Sequence, residues 1–202
     1  REEELFHGDP YDVYYPVGWM KRHLEVLARM YSEKLKRRMC VQVIRPSNIY
    51  GPFDDFRWKT SHVLAALIRK VIERHEPIEV WGTGNDVRDV IYIDDFAEAC
   101  LDILEKSETY DPVNVALGKG YRVKEMLEVL CEEDGYVAPR IVFNPAKPSM
   151  IPVRRVSVEK AERVFGFRAK TDLREGVRKT MRWYRENGEI LRRRGIPGDE
   201  RA

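Results

Sequence analysis

Val17-Gly18-Trp19-Met20-Lys21 leads into a run, Gly18 to Arg38, whose apolar residues Met20, Leu24, Leu27, Ala28, Tyr31 and Leu35 recur at helical spacing. A six-residue strand pattern follows, Cys40-Val-Gln-Val-Ile-Arg45, and then Pro46-Ser-Asn-Ile-Tyr-Gly-Pro52. A lysine on the first turn of a helix, followed by a buried strand and an Asn/Gly/Pro loop, is the arrangement expected around a cofactor in an open α/β sheet. Taken alone, Lys21 reads equally well as one of 36 basic residues on a solvated face. The rest of the chain decides between the two.

Working outward, Val41, Val43 and Ile44 suit a parallel strand buried on both faces. Pro46 to Thr60 reads as a loop, and Ser61 as the cap of a helix through Val63, Leu64, Leu67, Ile68, Val71 and Ile72. Ile78 to Trp81 is a short strand, Gly82-Thr-Gly-Asn a turn, and Val87 to Ile93 alternates as a strand. Asp94 or Asp95 then caps a helix from Phe96 to Lys106. Val113-Asn-Val-Ala reads as a strand, Gly118-Lys-Gly as a turn, Arg122 to Glu133 as an amphipathic helix and Arg140 to Phe143 as a strand. Asn144-Pro-Ala-Lys-Pro-Ser149 is a loop braced by Pro145 and Pro148. Val153 to Val156 is a strand, Ser157 caps a small helix, and Thr171 or Asp172 caps the last long one; the tail after Gly195 reads as loose. Strands and helices alternate throughout, which favours α/β architecture. No G-x-G-x-x-G or G-x-x-G-x-x-G follows any strand, so the element that holds a dinucleotide pyrophosphate is absent from this polypeptide.

With 43% apolar and 35% charged residues, the 202-residue chain can bury a core and is not a disordered segment. Its net charge of +2 argues against nucleic acid or an anionic membrane as the main partner. Cys40, Cys100 and Cys131 form no CxxC pair, and their odd number favours buried thiols in a reducing, cytoplasmic compartment over bridges or metal ligands. No apolar run reaches the ~18 residues that a membrane span needs. The chain opens on Arg1-Glu-Glu-Glu with no initiator Met and no signal peptide, as if it began inside a larger protein.

An ordered set of motifs carries a resemblance. Val-Gly-Trp-Met-Lys at 17–21, Arg-Pro-Ser-Asn-Ile-Tyr-Gly-Pro at 45–52 and Ser-His-Val-Leu-Ala-Ala-Leu at 61–67 are its first three members. Val-Trp-Gly-Thr-Gly at 80–84, Val-Arg-Asp-Val-Ile-Tyr-Ile-Asp-Asp at 87–95 and Phe-Asn-Pro-Ala-Lys-Pro at 143–148 complete it. From about Glu2 to about Arg192 the chain resembles the later part of the extended short-chain dehydrogenase/reductases, the NAD-dependent epimerase/dehydratase family. Within it, Ser61-His62-Val63 and the Lys147 loop are most similar to the GDP-L-fucose synthases.

The resemblance implies an α/β fold: the C-terminal portion of a Rossmann-like parallel sheet plus a smaller α/β substrate-binding domain. Residues 1–60 would end the NAD(P)-binding region. Residues 61–192 would mostly bind the nucleotide sugar, with Val87–Lys106 returning to the Rossmann region, and 193–202 would form a tail. The cofactor would be NAD or NADP, with the first half of its site missing here, and the substrate a nucleoside-diphosphate sugar. The helix carrying Lys21 would join a homodimer. No metal is expected, since Asp54-Asp55 has no ligand partner at metal spacing and Asp94-Asp95 reads as a cap.

Family roles transfer residue by residue. In the family's Tyr-x-x-x-Lys motif the phenol exchanges a proton with the sugar and the lysine lowers its pKa. Lys21 matches that lysine, but the tyrosine position is Val17, which has no proton to give. Tyr15, six residues before Lys21, replaces it only if the loop at Pro16 turns it inward. Pro46, Ser47, Asn48 and Ile49 match the loop over the nicotinamide. His62 matches the acid/base of epimerisation, which lies near the cofactor. Lys70, Trp81, Arg88, Asn144 and Lys147 match the groups that anchor substrate, and Lys-Pro-Ser-Met at 147–150 departs from the usual Lys-Pro-Asp-Gly. Val17 leaves three readings open: an epimerase/reductase of the fucose-synthase kind or another 4-epimerase or dehydratase, an impaired or engineered fragment, and a binding subunit without turnover.

Overall fold

Ile44 to Tyr50 is extended almost throughout and changes partner at Ser47. In the computed structural model, which describes residues 1–147 and 151–196, β1 (Ile44–Pro46) runs parallel to β5 (Val113–Val115). Beyond Ser47, whose amide donates to Val115 O at 2.9 Å, β2 (Asn48–Tyr50) runs parallel to the end of β4 (Val87–Tyr92). The strand expected at Cys40–Arg45 therefore starts four residues late, and the expected loop from Pro46 contains a second strand. Pro46 fits because it ends β1, where its missing N–H costs no ladder bond. Cys40 is exposed and the other two thiols half-buried, so the expectation of buried cysteines does not hold for Cys40.

β4 is the hub. Its last five residues are all buried, so the alternation expected over 87–93 is replaced by burial on both faces. Its first half pairs antiparallel with β6 (Gly120–Arg122) and parallel with β8 (Val153–Arg154). β6 takes Gly120 to Arg122 from the expected turn and helix, and helix α4 (Val123–Asp134) begins directly after it. A separate parallel pair joins β3 (Ile78–Trp81) to β7 (Ile141–Asn144) in the register Trp81↔Asn144. Parallel pairing with helical crossovers gives the α/β architecture, Rossmann-like in its parallel part, that the sequence predicts.

The remaining helices are α1 (Tyr15–Glu33), α2 (Val63–Ile72), α3 (Ile93–Lys106), α5 (Leu173–Glu186) and α6 (Gly188–Arg193). Pro16 in the first turn lets α1 start three residues earlier than the apolar spacing indicates, so Lys21 stands in the second turn. Its apolar residues Met20, Leu24 and Tyr31 are exposed, and polar Arg22, Glu25 and Ser32 face inward. The inward face is held by hydrogen bonds. Arg45 forks onto Glu25 at 2.8 and 2.5 Å, and the Tyr110 amide donates to Ser32 Oγ at 3.0 Å.

His62, not Ser61, occupies the cap position of α2, and its side chain makes no cap bond. Asp94 and Asp95 lie inside the first turn of α3, whose cap is Tyr92. Asp94 is exposed; Asp95 is buried and accepts from the amides of Lys170 and Thr171 and from Thr171 Oγ1. That clamp delivers Asp172 to cap α5 through the Glu175 amide at 2.8 Å. Two apolar clusters result. One joins α2, α4 and α5 under β3 and Tyr50, and the other joins α3 to β5 and the π-helical turn Ala161–Phe165. Leu191 and Ile196 belong to the first, so of the expected tail Ile196 packs on the core while 193–195 are exposed, and 197–202 lie outside the described residues. Among the described residues, no helix is long and apolar enough to cross a membrane.

Gly176 is required where α5 crosses β2: a Cβ there would stand 1.9 Å from Tyr50 Oη. The Tyr50 ring is buried against Tyr92, with centroids 5.7 Å apart, and cannot swing away freely. Alanine adds about 1 kcal/mol of helix propensity, but overpacking a filled core costs about 1–3 kcal/mol. Gly176→Ala is thus expected to lower the urea midpoint, with partial recovery in a Tyr50→Phe background. A midpoint that stays put or rises would show that Tyr50 yields.

Candidate functional site

Two clefts meet along α2. The first, of about 920 Å³, is walled by α2 on one side and β3 and β4 on the other, and gathers Asn48, His62, Lys70, Trp81 and Arg88. The second, of about 630 Å³, follows the backbone from Pro46 to Asp54 and is closed by His62, Ile93 and Arg154. Asn48, His62 and Arg154 line both. Because Lys70 lies seven residues beyond Val63 at 1.5 Å per residue, the first cleft extends about 10 Å along the helix from its His62 end.

Each expected residue has a definite place. Pro46, Ser47, Asn48 and Ile49 form the floor of the second cleft. His62 is exposed at the start of α2, with its imidazole unused by the helix cap. Lys70 Nζ donates to Glu79 O at 2.6 Å, and burial lowers its pKa against the opposing pull of the Glu79 charge. Trp81 is 55% exposed on the rim, and Lys147 Nζ sits 5.5 Å from its ring centroid. Arg88 reaches the wall, but Nη1 donates to Val87 O and Ile151 O, and Nη2 donates to Asp86 at 3.0 Å. Asn144 lines neither cleft and donates from Nδ2 to Glu79 Oε1 at 2.7 Å. The brace at Pro148 and the Ser149-Met150 departure lie outside the described residues.

Lys21 and Val17 are exposed on α1 and line neither cleft. Tyr14, at the cap of the same helix, does line the first cleft, and the Arg154 guanidinium lies 5.9 Å from its ring. Tyr15 turns outward against Trp19. The aromatic pair thus divides, with Tyr14 toward the cleft and Tyr15 toward solvent. Residues 14 and 21 are seven apart, which puts them on one side of the helix about two turns from each other.

Sequence reading did not single out Arg154, Trp58 or Asp54 as cleft residues. Asp54 lines the second cleft; burial raises its pKa, and His62 opposes that rise. Its neighbour Asp55 is held low by Arg57 and Thr60 instead. For Trp58 the available signal was an aromatic between Arg57 and Lys59, and for Arg154 an Arg-Arg doublet after Pro152.

Beneath the Ser47 partner change lies Asp89, 2% exposed. Its carboxylate lies among the Leu117 and Gly118 amides and the buried Ser47 hydroxyl, none of them in full hydrogen-bonding geometry. The amides of Leu117 and Gly118, Arg155 and Ser47 favour the charged form, but burial outweighs them and pushes the carboxyl up to about 6. Among the described residues, no group of three or more His, Cys, Asp or Glu is placed to hold a metal ion.

The raised carboxyl has a definite consequence for stability. Between the unfolded value of 3.8 and about 6 the native state binds more protons, so Asp89 costs stability as pH rises through that window. Asp89→Asn is expected to flatten this part of the pH profile and to raise stability at pH 7.5 by on the order of 2 kcal/mol relative to pH 4. Urea melts at the two pH values measure it; identical slopes for both proteins would remove Asp89 as the source.

Residues 2–116 match the family model described as the NAD dependent epimerase/dehydratase family. A probable GDP-L-fucose synthase from Oryza sativa subsp. japonica is 34% identical over 146 residues, 70% of this chain and 44% of that one. The GDP-L-fucose synthase of Escherichia coli K12 is 30% identical over 162 residues, 74% of this chain and 50% of its own length. The chain thus spans about half the length of the curated relatives it matches. Among solved structures, the UDP-glucose 4-epimerase of Thermotoga maritima with UDP-glucose superposes with a TM-score of 0.72 at 28% identity, covering 85% of this chain and 53% of that one. A GDP-L-fucose synthetase from Naegleria fowleri bound to NADP reaches 0.83 at 24% identity over 94% and 61%, a likeness of fold.

Proposed function

Because the chain belongs to the NAD dependent epimerase/dehydratase family, we propose that its first cleft takes a nucleoside diphosphate sugar and its second the nicotinamide end of NAD or NADP. The reaction is epimerisation and 4-keto reduction of the sugar, a reading that the family match and the likeness to GDP-L-fucose synthases support. The observation that carries this reading is the convergence of Asn48, His62, Lys70, Trp81 and Arg88, from separate segments, on one cleft of about 920 Å³. The residues 1–60 then serve mainly the cofactor and 61–192 mainly the sugar nucleotide.

The second cleft suits a flat amide-bearing ring. Its floor carries the Asn48 side chain, which can bond a carboxamide. When bound, the nicotinamide supplies or accepts a hydride. The chain's own groups do the rest. His62, with Asp54 nearby, serves one face of the carbon beside the sugar carbonyl as acid or base, and inversion there takes a second proton donor or acceptor on the opposite face. Tyr14, on the cleft wall, gives its phenolic proton to the carbonyl oxygen. Lys70 and Lys147 supply charge for the diphosphate, while Asn144 steadies Glu79 on the wall. Arg88, already bonded to protein, contributes its charge from within the wall.

One observation favours a second reading, a nucleotide-sugar binder without turnover: Val17 has no proton to give and Lys21 lines neither cleft. The full reading frame, assayed by NADPH absorbance with a 4-keto-6-deoxy nucleotide sugar, separates the two. Tyr14→Phe is expected to lower kcat by ~10²–10⁴-fold, and unchanged turnover removes Tyr14 from the acid role. No turnover in the parent, restored by Val17→Tyr, identifies the binder.

The exposed Met20, Leu24 and Tyr31 on α1 further support a homodimer through this helix. Sedimentation is expected to show a dimer that Leu24→Glu dissociates; a monomeric parent sinks that assignment.

A further inference from the structure

Trp58 stands in a tight turn between β2 and α2, and two of its neighbours define its seat. The Arg69 guanidinium carbon lies 3.9 Å from its ring centroid, covering one face. The His75 ring meets it edge-on at 5.1 Å. Arg69 is itself 1% exposed, bonded to Glu73 at 3.0 and 3.1 Å and to Phe56 O at 3.1 Å. The indole is therefore seated on an immobile cation, yet it remains 38% exposed and lines the first cleft. An indole needed only to cover Arg69 gains nothing from facing a cleft; one held from behind offers a rigid π surface that is ordered before any ligand arrives.

The next residue along α2 supplies the neighbouring chemistry. Lys70 Nζ lies 6.0 Å from the Trp58 centroid and spends one N–H on Glu79 O. Two N–H groups are left to meet an anion in the cleft. A planar ring on Trp58 and a phosphate at Lys70 are the two ends of one nucleotide. At the other end of α2, some 10 Å along the helix axis, His62 and Asn48 mark where the sugar reacts.

We infer that the cleft face of Trp58 is the stacking platform for the base of the nucleoside diphosphate, backed by Arg69 and followed by the phosphate at Lys70. This rests on the nucleotide-sugar reading above and deepens it: it assigns the base to the C-terminal end of α2 and leaves Trp81 beside the sugar. The two-ring indole overlaps a purine more fully than a pyrimidine, so the platform favours a purine nucleotide.

Calorimetry on the chain with GDP, UDP, inorganic pyrophosphate and NADP tests it, with thermal melts confirming that each variant is folded. Trp58→Ala is expected to weaken GDP by about tenfold or more, UDP by less, and pyrophosphate not at all, while Trp58→Phe retains most GDP affinity. GDP is also expected to quench indole emission in the parent and much less in Trp58→Phe, a comparison that stands even if the alanine variant unfolds. Equal GDP binding by parent and Trp58→Ala, or equal loss of GDP and pyrophosphate, overturns the platform alone. A loss confined to NADP reassigns the surface to the cofactor and overturns it too. If the parent binds neither GDP nor UDP, the nucleotide-sugar reading fails and the platform goes with it.

Discussion

The buried ion pair between Arg69 and Glu73 is the interaction on which both core and cleft depend. Arg69 is an arginine in an almost fully buried position, tolerable only because Glu73, Phe56 O and the Trp58 ring all face it. Glu73 is shared further: Tyr184 on α5 donates to it at 2.8 Å, and His75 approaches it at 3.2 Å. The Tyr184 phenol is pushed up by burial and by that carboxylate, so it stays a donor. Breaking such a pair leaves an uncompensated buried charge, at about 3–5 kcal/mol. The same network that fastens α5 to α2 fixes the geometry of the cleft's aromatic end.

A second constraint sits at the opposite end of the site. The chain from Ile44 to Tyr50 serves two partners in succession, and the change at Ser47 interrupts the ladder where backbone and side chains can face a ligand. Beneath that interruption the buried Asp89 carboxyl faces the Ser47 hydroxyl and the Leu117 and Gly118 amides. Burial outweighs those neighbours and raises the carboxyl, so the charge under this junction is the costly one. The rigid support at the end of α2 and the buried carboxyl under β2 thus lie at opposite ends of the paired clefts.

Much of the architecture was legible in the residues. Ile78–Trp81, Val113–Val115 and the Asp172 cap follow from local apolar spacing and cap chemistry, which act over a few residues. β6 was not legible, because Gly120 to Arg122 is a strand only through pairing with β4. The outward turn of the apolar side of α1 was hidden for a similar reason: periodicity finds a helix's apolar stripe but does not say whether this chain covers it. Lys21 shows the limit most plainly. Its motif is a matter of order along the chain, whereas its distance from the cleft depends on where Pro16 starts the helix.

The sequence by itself determined the family and the α/β alternation and singled out His62, Lys70 and Trp81, which the fold brings to one cleft, since motif order and residue chemistry are properties of the chain. Only the tertiary structure decided that Tyr14 rather than Tyr15 meets the cleft, that Arg88 is already bonded, and that Trp58 lies on Arg69. Those outcomes depend on which groups separated in sequence are forced together when a buried charge must find its partners, and no local pattern encodes that.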